Sequence, residues 1–192
     1  MNKLILIIIT IFSISCKSQT NIVDKVNVCN SHPFNTTDGS LYKKDISNLY
    51  GPFLGTWKWT SGNREMTLVL LKQTKHHYNM SGNDNFYADR MIGYYIYKEN
   101  GNVIIDTSNE DLTKDYGLTV NFNILCDGNI STAFFEDPPK KKTYNVLLKK
   151  ISTTQMKFTA SMDENSIILP KNGTVIIPGG TSFPPEMIFT KQ

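Results

Sequence analysis

Leu118-Thr119-Val120-Asn121-Phe122-Asn123-Ile124 alternates apolar and polar residues throughout, and Met156-Lys157-Phe158-Thr159-Ala160-Ser161-Met162 does so again. Successive side chains of a β-strand point to opposite faces, so each stretch has one face for a core and one for water. That is the pattern of antiparallel sheet. Working outward, further strand candidates lie at 53–60, 64–74, 90–98, 102–107, 130–136, 142–151 and 187–191. Ser61-Gly62-Asn63, Asn100-Gly101-Asn102 and Asp127-Gly128-Asn129 separate them. Asn and Gly tolerate the positive φ angles of tight hairpins. No helical periodicity of useful length intervenes, which argues against a parallel α/β sheet. About nine strands joined by short hairpins predict an all-β fold, a single antiparallel meander barrel of about 8–10 strands, because closure removes exposed edges.

The first strand of that meander carries Phe53-Leu54-Gly55-Thr56-Trp57-Lys58-Trp59. Trp57 and Trp59 are two apart and share a face. A turn, a glycine and an inward tryptophan on the first strand resemble the lipocalin and fatty-acid-binding (calycin) barrels. The resemblance implies that Gly55 and Trp57 form the barrel-end motif, with the tryptophan packed across the closed end. It also implies a basic residue over that tryptophan from the last strand, where this chain offers Lys191. The layout as a whole resembles an uncharacterised family of lipocalin-like lipoproteins from flavobacteria. The residues that carry this are Cys16-Lys17-Ser18-Gln19, Gly55 to Asn63 and Lys98-Glu99-Asn100-Gly101. That family implies a fold and no activity.

The front of the chain reads differently. Lys3 is the one charge before an apolar run from Leu4 to Phe12, and Ser13 and Ser15 precede Cys16. A positive start, a short apolar centre and a small-residue exit predict a secretory signal peptide over 1–15. The run is shorter than the roughly 20 apolar residues that a membrane span needs. Ser13-Ile14-Ser15-Cys16 resembles the lipobox of bacterial lipoproteins. It implies cleavage before Cys16, acylation of that cysteine (palmitate-type chains) and a membrane anchor without a span. Residues 16–44 are poor in apolar side chains and predict a lipidated tether, leaving 45–192 as the barrel domain. A short helical turn is expected at 45–50, capped by Asp45 and ended by Gly51-Pro52. By the resemblance to flavobacterial surface lipoproteins, which place acidic residues soon after the cysteine, Lys17-Ser18-Gln19-Thr20 implies an outer-membrane lipoprotein facing the periplasm.

Composition bounds the function. The net charge of +3, or +2 once Lys3 leaves, gives no footing for nucleic acid. Lys140-Lys141-Lys142 follows Pro138-Pro139 and reads as a solvated turn. With Cys16 acylated, Cys29 and Cys126 remain of three cysteines. A disulfide between them and two separate thiols both stay open. His76 and His77 are adjacent and would face opposite sides of a strand, so they are read as loop histidines rather than metal ligands. No catalytic or nucleotide-binding motif is present, so neither an enzyme nor a cofactor is expected.

Trp57, Trp59, Tyr94, Phe122, Phe134, Tyr144 and Phe158 fall on expected inward faces and are the ligand-cavity candidates. The same residues also describe a filled core. Two functions follow: a carrier of a small apolar ligand, or an envelope protein that binds a protein partner around a solid barrel. The apolar stretches at 167–170 and 175–178 around Asn172-Gly173 predict an extra hairpin within 163–186. It would serve as a lid, a partner edge or a plug.

Overall fold

The computed structural model describes residues 21–30, 37–80, 84–114, 117–162 and 179–192, with the side chains of 28–30, 80 and 133 excepted. The expectations placed on the leader, on Cys16 and on the apolar hairpin stretches at 167–170 and 175–178 with their tip at 172–173 lie outside the described residues.

Strand makes up 61% of the described chain, and no α-helix occurs in it. Its strands are β1 (Asn21–Asp24), β2 (Leu41–Lys44), β3 (Gly55–Ser61), β4 (Arg64–Met80), β5 (Asp84–Glu99), β6 (Asn102–Asp106), β7 (Val120–Ile124), β8 (Ile130–Asp137), β9 (Lys142–Lys150), β10 (Gln155–Ser161) and β11 (Glu186–Lys191). Eight of them, β3, β4, β5, β7, β8, β9, β10 and β11, pair antiparallel in chain order. Lys191 of β11 pairs with Trp57 of β3 and closes the barrel. The meander barrel read from the alternating stretches is therefore the fold. β6 is an appendix that pairs with β5 at 96–99, beyond the stretch that β7 covers.

Two strands outrun their expected lengths. The β4–β5 ladder continues past the barrel to Met80 and Asp84, with a bulge between Gln73 and His76. Lys75 takes a φ of 53° at this bulge. A non-glycine residue there costs about 1–3 kcal/mol unless its surroundings hold it. Here Asp89 Oδ1 accepts the Lys75 N–H at 2.9 Å. His76 and His77 thus lie in a strand, not a loop. The ring of His77 stacks on Tyr87 and its Nε2 lies 2.8 Å from Asn85 Oδ1.

The overhanging hairpin is the docking edge for the chain before the barrel. β1 pairs parallel with β2, and β2 pairs parallel with β5 at Tyr42–Tyr87 and Lys43–Ala88. Leu41, Phe86 and Ala88 form a small second core there. The segment read as a loose tether is, in its described part, packed on the barrel. No helix forms at 45–50. A single 3-10 turn follows at Gly51–Phe53, which Gly51-Pro52 starts rather than ends. The proline ring presets φ for a first helical turn and its missing N–H is no loss there. Asp45 still works as an acceptor, taking the Leu49 N–H at 2.6 Å.

The barrel interior is filled by side chains. Trp57, Trp59, Met66, Leu68, Tyr95, Tyr97, Phe122, Phe135, Tyr144, Phe158 and Phe189 belong to one buried cluster. Gly93 faces it from β5, where a Cβ would lie 1.8 Å from the Val69 carbonyl oxygen. Only glycine lets the two backbones approach so closely.

A plugged barrel end as the candidate functional site

The two ends of the barrel differ. β11 begins at Glu186 and ends at Lys191, beside Trp57. Phe183 lies just before β11 and therefore at the opposite end from Trp57. It comes from a segment outside the strand ladder, yet it is 1% exposed. Its ring makes edge contacts with Phe135 and Tyr144 at 5.6 Å, Tyr95 at 5.9 Å, Phe158 at 6.2 Å and Tyr97 at 6.5 Å between centroids. Edge-to-face packing of this kind is favourable beyond the area it buries. Phe183 is the stopper of this end.

Three hydrogen bonds hold the stopper segment. Ser182 N–H donates to Asp137 Oδ2 at 2.8 Å, Lys142 Nζ donates to Gly180 O at 2.9 Å, and Ala160 N–H donates to Pro185 O at 2.7 Å. Beneath it, Tyr95 Oη donates to Glu136 O at 2.6 Å. Asp137 is 0% and Tyr144 3% exposed. Among the described residues, Asp137 Oδ1 and Tyr144 Oη have no hydrogen-bond partner. Burial, with the charge of Asp137 added, pushes the Tyr144 phenol up to about 12. Buried polar atoms are paired in the great majority of cases, so two unpaired ones under a single plug mark a polar spot that the described residues do not satisfy.

Trp57 seals the other end. Its Nε1 donates to Phe53 O at 2.6 Å, and Lys150 and Lys191 place their Nζ 4.6 Å and 5.4 Å from its ring centroid. Gly55 opens the strand at a φ of +114°, which a side chain rarely adopts.

The cavity candidates divide. Trp57, Trp59, Phe122, Tyr144 and Phe158 all point into the barrel. Tyr94 does not. It is half-buried on the outer face, and Tyr95 and Tyr97 take the interior. Residues 88–93 are buried on both faces, with Asp89 held by Tyr42 and Asp45 and Arg90 by the Leu112 and Lys114 carbonyls, so the sequence there loses the alternation that would set the phase. Phe134 does not either. It is 69% exposed while Phe135 is fully buried. The register of β8 shifts between Thr132 and Phe135, and the shift moves the inward position on by one residue. Cys126 is disulfide-bonded, and the side chain of Cys29, one of the two cysteines between which a bond was left open, lies outside the described residues. Among the described residues, no group of three or more His, Cys, Asp or Glu side chains could hold a metal ion.

Sequence reasoning missed Phe183, Asp137 and Tyr95. Phe183 sits in a Gly- and Pro-rich run without periodicity, and Asp137 reads as the start of a turn.

A family model described as a family of unknown function (DUF6705) matches residues 1–192. The chain belongs to that family. No curated protein and no solved structure matches it.

Proposed function

We propose that this member of the DUF6705 family is a lipid-anchored envelope protein that holds a small apolar ligand at the plugged end of its barrel. The leader before Cys16 and the lipobox-like residues support export, acylation and an outer-membrane position facing the periplasm. The observation that carries the binding reading is the seat of Phe183. One aromatic side chain, borne by a segment outside the ladder, fills a ring of five aromatic residues above two polar atoms, Asp137 Oδ1 and Tyr144 Oη, that have no partner among the described residues. When that segment swings out, it vacates an apolar slot with a phenol and a carboxylate at its wall. Small-ligand sites combine apolar walls with a few placed polar groups in this way. The cargo would be flat, mostly apolar and equipped with a hydrogen-bond donor for Asp137.

Native mass spectrometry of the protein purified from its own cells tests this. A co-purifying small molecule of defined mass is the expected result. Bare protein throughout contradicts it.

A second reading has its own observation. Phe134 is an exposed aromatic on the barrel wall, at 69%, and the interior is packed. An interaction module that binds an envelope protein across β8 fits both facts.

A further inference from the structure

The sealed end of the barrel carries a feature that the plugged end does not explain. Lys150 and Lys191 both rest on Trp57. Burial and the neighbouring Lys191 charge both push the Lys150 ammonium down. Lys150 donates to the Thr153 carbonyl at 3.2 Å, but neither lysine has an acidic partner among the described residues. Among the described residues, two like charges have been drawn together without a counter-charge.

They stand at a groove of about 720 Å³. Leu49, Pro52, Phe53 and Ile151 give it apolar walls, and none of its lining residues is acidic. Ile151 is 52% exposed there. The volume falls within the roughly 300–1,000 Å³ of small-molecule sites. A cleft lined by one sign of charge concentrates ligands of the other sign. Its apolar walls favour a chain over a bare inorganic ion.

We infer that this groove is a second binding site, for a free single-chain amphiphile with a carboxylate head. The head lies between the ammonium groups of Lys150 and Lys191, and the chain runs along Leu49, Pro52 and Ile151. Lys150 is the residue to test, because Lys191 sits on the strand that closes the barrel.

Isothermal titration of the purified protein with dodecanoate, dodecanol and inorganic phosphate decides the matter. Dodecanoate should bind, with dodecanol and phosphate each at least tenfold weaker. Lys150→Gln should weaken dodecanoate about tenfold, and Lys150→Arg should retain it, for a charge–charge contact worth about 1.4 kcal/mol. Ser152→Phe, which fills the groove from its rim, should abolish binding, whereas Val103→Ser, at an exposed position of β6 outside both sites, should leave it unchanged. Equal binding of dodecanoate and dodecanol, or no effect of Lys150→Gln, overturns the site. So does Lys150-dependent capture of anionic vesicles without dodecanoate binding, which would make the lysines a membrane contact instead.

Discussion

Phe134 and Phe135 are neighbours with opposite fates. One points into water and the other contacts Tyr95, Phe158 and Phe183 in the barrel. The difference follows from the register shift in β8. Phe135→Ala should therefore cost about 3–5 kcal/mol, as buried aromatics do when a cavity is left behind. Phe134→Ser should stay within about 0.5 kcal/mol of the parent, as exposed positions do. Urea unfolding of the two variants measures both. Were the costs reversed, the bulge would be misplaced. At this scale the sequence is legible where a strand has one wet face, as in 118–124 and 156–162. It is not legible at Tyr94 and Phe134, where two-sided burial or an extra residue hides the phase.

Among the elements, the docking of β1 and β2 on the β4–β5 overhang rests on charge as much as on packing. Asp89 is 1% exposed. It accepts Tyr42 Oη at 2.7 Å, Asp45 N–H at 2.9 Å and Lys75 N–H at 2.9 Å. Lys72 Nζ lies 2.8 Å from Asp45 and 3.7 Å from Asp89. Burial alone would raise the Asp89 carboxyl. The hydrogen bonds from Tyr42, Asp45 and Lys75, with the Lys72 charge, bring it below the usual range. Its contribution is thus present at neutral pH and lost as pH falls through that lowered value.

Lys25 belongs to the same knot and donates to Tyr50 Oη at 2.7 Å. Burial pushes its ammonium down to about 8, against the pull of Asp89 and Asp45 and with the push of Lys43 and Lys72. Between pH 8 and the ordinary lysine value, the unfolded chain holds a proton that the folded chain has released. Stability therefore rises with pH in that window, by about 2 kcal/mol from pH 8 to pH 10. Above pH 10 the trend reverses. Burial and Asp89 hold the Tyr42 phenol up at about 12, and Tyr50 is raised too, so their unfolded forms ionise first. Denaturant midpoints across pH 7–11 should trace this rise and fall, and Lys25→Met should flatten the rise. An unchanged rise in that variant would remove Lys25 from the account. None of this knot was readable from the sequence, because 16–44 lacks the apolar run that announces a strand. Its strands are fixed by pairing to β5 and by buried polar groups instead.

For the whole molecule, the closed meander was readable because period-two stretches, Asn-Gly turns and the Gly55–Trp57 start agree with one another. The stopper was not, because its segment has neither period nor propensity and its position is set by the aromatic ring it enters. The central claim is that Phe183 closes a ligand site. It is tested most directly by stopped-flow binding of a flat apolar fluorescent probe to the parent protein and to Phe183→Ala, with Phe183→Leu as the milder variant. The account predicts that the parent binds slowly, limited by opening of the 179–185 segment, and that both variants bind faster and more tightly while keeping their β-sheet circular dichroism. Folded variants that take up no more probe than the parent would contradict it, and Phe183 would then be one more member of a solid core.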